Sequence, residues 1–234
     1  MLYFQTVTPT LLKIIRAVSG EPSLRDFRLV GGTALSLYLG HRKSVDADFF
    51  SNKDFDKDEA NIVLSRLLPG FMVLRKSAHG FAAMYEQVKM DMYTWQMPFL
   101  LPAVETDGIR MAALPDIAAL KLEAVSNRKE EKDFRDIHAL LQRFSLAELL
   151  GFFRERYPNH SPRIVTDHLL AAPFVERDPT IGLFSSDPWE IIGADIVGAV
   201  TAFYEESTRN RARLEEERLR QRLDNLKKGD EPTV

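Results

Sequence analysis

The chain has 234 residues, of which 45% are hydrophobic, and its 31 basic and 34 acidic residues give a formal net charge of −3. This length is enough for one or two units with a hydrophobic core, and the charge argues against nucleic-acid binding driven by the chain as a whole. The lack of cysteine excludes disulfides, thiolate zinc sites, iron–sulfur clusters and cysteine nucleophiles, and it is consistent with a reducing cytoplasm, where we expect the protein.

The sequence contains no segment typical of a secretory signal or a membrane span. The N-terminal residues lack a charged region followed by a long apolar one, and the longest apolar run elsewhere, 191–203, is interrupted by Asp195. A membrane span needs about 20 predominantly apolar residues. We therefore expect a soluble, unexported protein.

The first 110 residues alternate helical and strand patterns, which is typical of an α/β unit. Thr8-Pro9 is a helix start signal, and the apolar stripe behind it predicts a helix to about residue 20. A short apolar run ends at Gly31-Gly32 and leads into a short helix. The later patterns predict a strand at 45–50, a helix at 54–68, a meander of strands at 71–76, 81–87 and 88–95, and a short strand at 109–112.

Beyond a proline-containing loop the pattern becomes helical. Helices are predicted at 115–126, 130–144, 146–157, 162–171 and 188–204. From Glu205 onward the chain is nearly continuous charge, which predicts a solvated helix with a frayed end at 229–234. We thus predict an α/β (α+β) core with a small mixed sheet at 1–110, a helical domain at 111–205 and a charged tail at 206–234, with the active site between the first two.

Gly31-Gly32-Thr33 stands at the junction between a predicted strand and a predicted helix. Two glycines let the backbone approach a ligand closely, and the N–H groups at a helix N-terminus suit a phosphate. The alternative is a tight turn capped by Thr33, and two adjacent glycines alone favour that alternative.

A pair of carboxylates changes this balance. Asp46 and Asp48 lie on one face of the same predicted strand because side chains alternate along a strand. Neighbouring carboxylates repel each other and resist burial unless a cation holds them, and oxygen ligands suit Mg²⁺ or Mn²⁺. In the strand at 88–95, Met90 and Met92 face one way, so Asp91 faces the other. If the two strands are neighbours, three aspartates converge before the glycine turn, as two-metal phosphoryl or nucleotidyl transfer requires.

These residues resemble a known family. The strings Leu-Val-Gly-Gly-Thr-Ala-Leu at 29–35 and Leu-Gly-His-Arg-Lys-Ser-Val-Asp-Ala-Asp-Phe-Phe at 39–50 are similar to the signature of the AbiEii/AbiGii-type toxin branch of the nucleotidyltransferase superfamily. The resemblance covers roughly the first 145 residues. It implies a Mg²⁺-dependent transfer of a nucleotide from NTP to an acceptor hydroxyl, in some members on transfer RNA, and in some members a paired antitoxin.

The resemblance also implies roles for single residues. The catalytic set would be Asp46, Asp48, Asp91, Lys121 and Asp133, with the metal on Asp46, Asp48 and Asp91. The nucleotide would be bound by Gly31, Gly32, Thr33, Arg42 and Lys121. His41 and Arg42, on the loop before the aspartate strand, could contact nucleotide or acceptor, or could anchor that loop.

Two of these assignments have ordinary alternatives. Lys121 emerges from an apolar helix face, so it could bind a triphosphate or could extend its ammonium to solvent. At 100° per residue Asp133 falls at the edge of the buried stripe of its helix, whereas Asp136 points further from it, so Asp133 is the better candidate for the family's distal aspartate. The alternative for Asp133 is an ion pair with Lys129.

Other readings of the sequence are weak. The run 54–65 begins like a calcium loop but has Glu59 and Ser65 where Gly and Glu are needed. The five histidines have no zinc-binding spacing, and Walker A, G-x-S-x-G and dinucleotide motifs are absent. The remaining alternative function is a non-catalytic module that binds or senses nucleotide, which would leave no label covalently on an acceptor.

Overall fold

The computed structural model describes residues 1–95, 97–184 and 187–229, and the side chains of 223–229 fall outside this description. Of the end predicted to be frayed, only Gly229 lies among the described residues. Among the helices in these ranges, none combines the length and apolarity that crossing a membrane requires.

A seven-stranded mixed sheet forms the centre of the molecule, which confirms the predicted α/β class. The strands are β1 (Arg28–Leu29), β2 (Ala47–Ser51), β3 (Met72–Ser77), β4 (Gly80–Tyr85), β5 (Val88–Thr94), β6 (Val104–Thr106) and β7 (Ile109–Met111). Their order across the sheet is β3-β4-β5-β2-β1-β7-β6. β6 was not predicted; it is a short edge strand whose three residues lack an alternating apolar pattern.

The pairing of the strands brings the aspartate motifs together. β3, β4 and β5 form the predicted antiparallel meander. β2 then pairs with β5 in parallel, so that Asp48 lies opposite Asp91. On its other side β2 pairs antiparallel with β1, which leads directly to the glycine turn. The sheet register therefore places the three motifs around one point.

Helices surround the sheet and continue beyond it. They are α1 (Pro9–Gly20), α2 (Gly31–Leu39), α3 (Lys57–Leu67), α4 (Leu114–Asn127), α5 (Glu131–Leu141), α6 (Leu146–Arg156), α7 (Pro162–Leu169) and α8 (Trp189–Gly229). The start of α1 follows the sequence signal, since the Thr8 hydroxyl accepts a hydrogen bond from the Leu11 N–H at 3.1 Å. α6 begins with a capping box between Ser145 and Glu148.

The hydrophobic core is one continuous cluster that includes sheet residues such as Phe49 and Met92 and helical residues such as Ile117 and Phe134. α8 contributes its first three turns, where Ile192, Ile196 and other apolar side chains are buried. From Tyr204 the described side chains of α8 are mostly exposed, so the charged segment predicted from Glu205 continues this helix into solvent.

Candidate active site

A cavity is lined by the glycine turn and by the aspartates of β2 and β5. Its volume is about 760 Å³, within the range of about 300–1,000 Å³ usual for small-molecule sites. Its walls come from the turn before α2, from β2 and β5, from α4 and from residues 178–182. Six cationic side chains line it: Arg42, Lys43, Lys89, Lys121, Arg128 and Lys132. All three aspartates of the predicted metal set line the same cavity: Asp46, Asp48 and Asp91.

The glycine turn forms one edge of this cavity. Gly31 has φ +69°, a conformation that favours glycine, and a Cβ at this position would lie 2.5 Å from Asp48 Oδ2. A Cβ on Gly32 would overlap the guanidinium of Arg42. No side chain caps the N-terminus of α2, so the positive end of this helix is open to the cavity.

Thr33 plays a different structural part from its neighbours. Its side chain is buried, and its hydroxyl donates to the backbone carbonyl of Asp46 and lies 2.7 Å from the Ser44 hydroxyl. It is not among the residues that line the cavity. Thr33 thus ties the turn to the strand that carries the aspartates, and a direct contact of its hydroxyl with nucleotide stays a prediction.

The aspartates occupy the positions that the strand pattern predicted. Asp46 directly precedes β2, and Asp48 lies within it. Both side chains are partly exposed, whereas the alternating residues Ala47 and Phe49 are buried. Asp91 faces the cavity from β5, opposite Asp48, and its Oδ2 accepts from the Lys89 ammonium at 2.7 Å. The condition that the sequence left open, that the two strands be neighbours in the sheet, is therefore met.

The electrostatics of this cluster disfavour full ionisation. Burial, together with the neighbouring Asp91 and Asp46 carboxylates, raises the pKa of Asp48 from 3.8 to about 6, against the opposing effect of Lys121 and Lys89. Among the described residues no hydrogen bond to the Asp48 carboxylate contributes, so Lys121 and Lys89 offset this cost only in part, through their charge.

The chemistry of the donor set fits a divalent cation. Three carboxylates supply the hard oxygen ligands that Mg²⁺ and Mn²⁺ prefer, and Gly31 leaves room where a Cβ would collide with Asp48. Within the described ranges, no three Asp, Glu or His side chains stand close enough to coordinate one ion. The three side chains share a cavity without forming a closed coordination shell, and the Asp91 carboxylate is paired with Lys89 at 2.7 Å.

The ammonium group of Lys121 does not extend to solvent, so the alternative to triphosphate binding that the sequence allowed for this residue was wrong. Its side chain is 6% exposed, and its ammonium lies 3.1 Å from Asp133 Oδ1 and 2.6 Å from Asp136 Oδ2. Asp133 also accepts from Arg128, at 2.7 Å to Oδ2, so its partners are Lys121 and Arg128 rather than Lys129. Burial alone would raise the pKa of Asp133, but these two cations lower it.

The prediction from 100° per residue that Asp136 points away from the buried part of its helix was wrong. Asp136 is fully buried, because the loop containing His41 and Arg42 covers the face of α5 that the apolar pattern left polar. The Arg42 guanidinium binds both Asp136 oxygens, at 2.7 and 2.8 Å, and His41 Nε2 lies 2.6 Å from Oδ1. Burial alone would raise the pKa of Asp136, but Arg42, Lys121 and His41 hold it well below 3.8.

Of the two roles that the sequence left open for Arg42, the structure shows the anchoring of the loop, and contact with nucleotide or acceptor stays a prediction. The ion pair of Arg42 with Asp136 anchors the loop to α5, and its guanidinium lies against Gly32 and lines the cavity. Because a bidentate pair fixes the orientation of a guanidinium, Arg42 presents a cation in a set position beside the N-terminus of α2.

The sequence did not reveal the segment that covers one side of the cavity, residues 178–182. The N–H of Asp178 donates to the buried Glu131 carboxylate at 2.5 Å. At the other end, the N–H of Lys43 donates to the Gly182 carbonyl at 2.6 Å. Both partners are far away in the sequence and no motif marks the segment, so local patterns contained no signal for it.

Comparisons with known proteins agree with this geometry. A family model described as "Nucleotidyl transferase AbiEii toxin, Type IV TA system" matches residues 14–228. The uncharacterized protein aq_aa25 of Aquifex aeolicus (strain VF5) is 32% identical over 151 residues, which are 62% of this chain and 73% of that protein. The crystal structure of JHP933 from Helicobacter pylori has the same fold, with a TM-score of 0.57, 17% identity and coverage of 93% of this chain and 100% of that one. Since the family model spans most of its length, this chain belongs to the AbiEii family of nucleotidyltransferase toxins and is a nucleotidyltransferase.

Proposed function

We propose that this enzyme transfers a nucleotide from NTP to an acceptor hydroxyl in the cavity between β2, β5 and α4, and that the acceptor is RNA. One observation carries the proposal. Asp48 and Asp91 lie opposite each other on neighbouring strands, beside the open N-terminus of α2, in a cavity that also contains several cations. This arrangement supports the proposal, because nucleotidyl transfer requires carboxylates beside groups that can bind phosphate.

In this proposal the triphosphate lies between the glycine turn and α4. Gly31 and Gly32 let it approach the N-terminus of α2, where the helix dipole favours negative charge. Lys121 lines the cavity from α4, and Arg42 lines it from beside Gly32; both would neutralise charge that develops on the departing pyrophosphate. Both cations are held in place by Asp136, so their positions are set before the substrate binds.

Mg²⁺ or Mn²⁺ would be held by Asp46, Asp48 and Asp91. When bound, such an ion neutralises phosphate charge and aligns the attacking and leaving oxygens. The raised pKa of Asp48 supports this assignment, because a bound cation would offset the burial and the carboxylate repulsion that raise it.

The acceptor hydroxyl would lie on the β5 side of the cavity. The Asp91 carboxylate faces that space and would accept the hydroxyl's hydrogen bond and then its proton. Lys89 limits the movement of Asp91 through its ion pair at 2.7 Å. Asp133 does not line the cavity and would act by holding Lys121 and Arg128 in position.

RNA as the acceptor is supported by the cations at the cavity wall, because an acceptor strand brings phosphates beside the reacting hydroxyl. Transfer RNA is one such acceptor. The family description names a TA system, which supports a partner antitoxin that counteracts the activity of this chain.

The proposal is tested by incubating the protein with total RNA, Mg²⁺ and each NTP, labelled in separate reactions on the α- or the γ-phosphate. Nucleotidyl transfer places the α-label on RNA and leaves the γ-label in pyrophosphate. A reaction with EDTA is the control for the metal. Transfer of the γ-label would indicate a kinase instead, and binding of NTP without covalent label in any reaction would indicate a nucleotide-binding module.

A further inference from the structure

Two aromatic rings lie in the same cavity, beyond the carboxylates. The rings of Phe50 and Trp95 are stacked, with centroids 5.5 Å apart and planes at 7°, and both line the cavity. Phe50 is two residues past Asp48 on β2, and Trp95 is four residues past Asp91, just after β5. Because side chains alternate along a strand, these rings share a sheet face with the aspartates.

The position of Trp95 is fixed by the backbone. Its N–H donates to the carbonyl of Ser51 at 2.7 Å, so the pairing of β2 with β5 continues to this residue. The indole Nε1–H is buried and has no hydrogen-bond acceptor among the described residues. A buried tryptophan usually finds such an acceptor, so this one forfeits a hydrogen bond while its ring is held against Phe50. Both side chains remain partly exposed at the cavity.

The part of the cavity wall that α4 contributes has mixed polarity. α4 contributes the apolar Leu120 and Ala124 together with the polar Glu123 and Asn127. The Asn127 amide donates to the Glu123 carboxylate at 2.6 Å. A flat ring with polar edges, such as a nucleobase, matches a cavity lined by an aromatic surface, apolar side chains and hydrogen-bonding groups.

The order of the features along β2 indicates which part of a substrate would reach the rings. β1 is antiparallel to β2, so Gly31 lies near the start of β2, next to Asp48, and Phe50 lies further along. The glycine turn thus stands at one end, the carboxylates in the middle and the aromatic rings at the other. A nucleotide with a reacting phosphate or hydroxyl at the carboxylates places a base beyond them.

We propose that Phe50 and Trp95 form a stacking platform for a nucleobase of the reacting molecules, either the base of the NTP or the terminal base of the acceptor strand. This inference rests on the proposed function, since it assigns a substrate part to the same cavity. The platform is independent of sequence-specific contacts, because every base has a π face that can stack on an aromatic ring.

The protein contains two tryptophans, which makes a direct test possible. In a Trp189→Phe variant, Trp95 is the single indole and its fluorescence reports on the platform. This variant is titrated, with Mg²⁺ present, with each NTP, with inorganic tripolyphosphate and with a short single-stranded RNA. Quenching by NTP but not by tripolyphosphate assigns the donor base, and quenching by RNA alone assigns the acceptor base. Binding of NTP and RNA by calorimetry with no quenching would overturn the platform.

Substitutions supply the second readout. Trp95→Leu should raise the KM of the ligand whose base stacks by roughly 5- to 150-fold, as expected for the loss of one base-aromatic contact, with a small change for the other ligand. Trp95→Phe should restore most of the affinity. Phe152→Leu is the matched control, because Phe152 is a partly buried ring packed on Phe144 outside the cavity.

The two proposals fail in different ways. If the wild-type protein transfers the α-label but Trp95→Leu leaves both KM values within twofold, the platform is wrong and the proposed function stands. If the wild-type protein neither transfers the label nor binds NTP or RNA, the proposed function fails and the platform fails with it.

Discussion

Replacing Asp48 by Asn should stabilise the metal-free protein, because it removes a carboxylate that folding places in an unfavourable environment. The folded pKa of about 6 lies above the unfolded value of 3.8. The contribution of such a group to stability is therefore fully present below pH 3.8 and is lost as the pH rises through 6. Above that range the ionised Asp48 destabilises the fold.

The size of the effect follows from the shift. A difference of about 2 pKa units at about 1.4 kcal/mol each corresponds to about 3 kcal/mol at pH 7, and to about half of that at pH 5. For a chain of this size, 1 kcal/mol changes the melting temperature by about 2–4 °C, so the Asn variant should melt about 6–12 °C higher at pH 7 in EDTA. The difference should shrink toward pH 4.

Mg²⁺ and NTP should reverse the order of the two melting temperatures, so that the wild type melts above Asp48→Asn. At a thousandfold excess of Mg²⁺ and NTP over the dissociation constant, the wild type gains about 4.1 kcal/mol, which exceeds its deficit, while the variant gains much less. The assay is thermal unfolding followed by circular dichroism at pH 4, 5 and 7, with EDTA or with Mg²⁺ and NTP. Asp54→Asn, at an exposed position, is the matched control and should change neither curve.

The reasoning would be refuted by an Asp48→Asn protein that melts below the wild type in EDTA at pH 7 and gains as much from Mg²⁺ and NTP. That result would mean that Asp46, Asp48 and Asp91 do not act on one another as the geometry implies.

Three further variants test other parts of the site. Gly31→Ala should abolish transfer, because its Cβ would collide with Asp48, whereas Gly108→Ala, also at positive φ but facing open space, should keep full activity at a modest cost in melting temperature. Lys121→Met leaves two buried carboxylates without their shared cation and should destabilise by about 3–5 kcal/mol, so an unchanged melting temperature would contradict the buried ion pairs. Asp136→Asn should melt well below the wild type at pH 7, and the gap should close as the pH falls below 3.8, because a depressed folded pKa gives stability that is lost in acid; a gap independent of pH would point to packing instead.

Local patterns sufficed for the elements that present the carboxylates. Alternation alone put Asp46 and Asp48 on one face and Asp91 on the face opposite Met90 and Met92, and the structure confirms both. Their meeting depended on the parallel pairing of β2 with β5, which joins segments more than 40 residues apart and follows from no local pattern. The sequence therefore predicted that the aspartates would meet if the two strands were neighbours, but it could not predict that the strands are neighbours.

Charge partners across long distances explain what the sequence missed. Asp136 looked peripheral because burial was judged from apolar neighbours, whereas its partners are the cations Arg42 and Lys121 on other elements. The aromatic platform had a weak signal, since Phe50 continues the alternation that begins with Asp46 and Asp48, but its stacking on Trp95 needed the sheet register. Hydrophobic periodicity reports neither kind of contact.

The most direct test of the central claim is covalent transfer of the α-label from NTP to RNA by the wild type, Asp46→Ala and Asp48→Ala, each first shown to be folded by circular dichroism. Mg²⁺-dependent labelling by the wild type that is lost in both folded variants would agree with nucleotidyl transfer at the carboxylate cluster. Unchanged labelling by either folded variant would place the chemistry elsewhere and contradict the account.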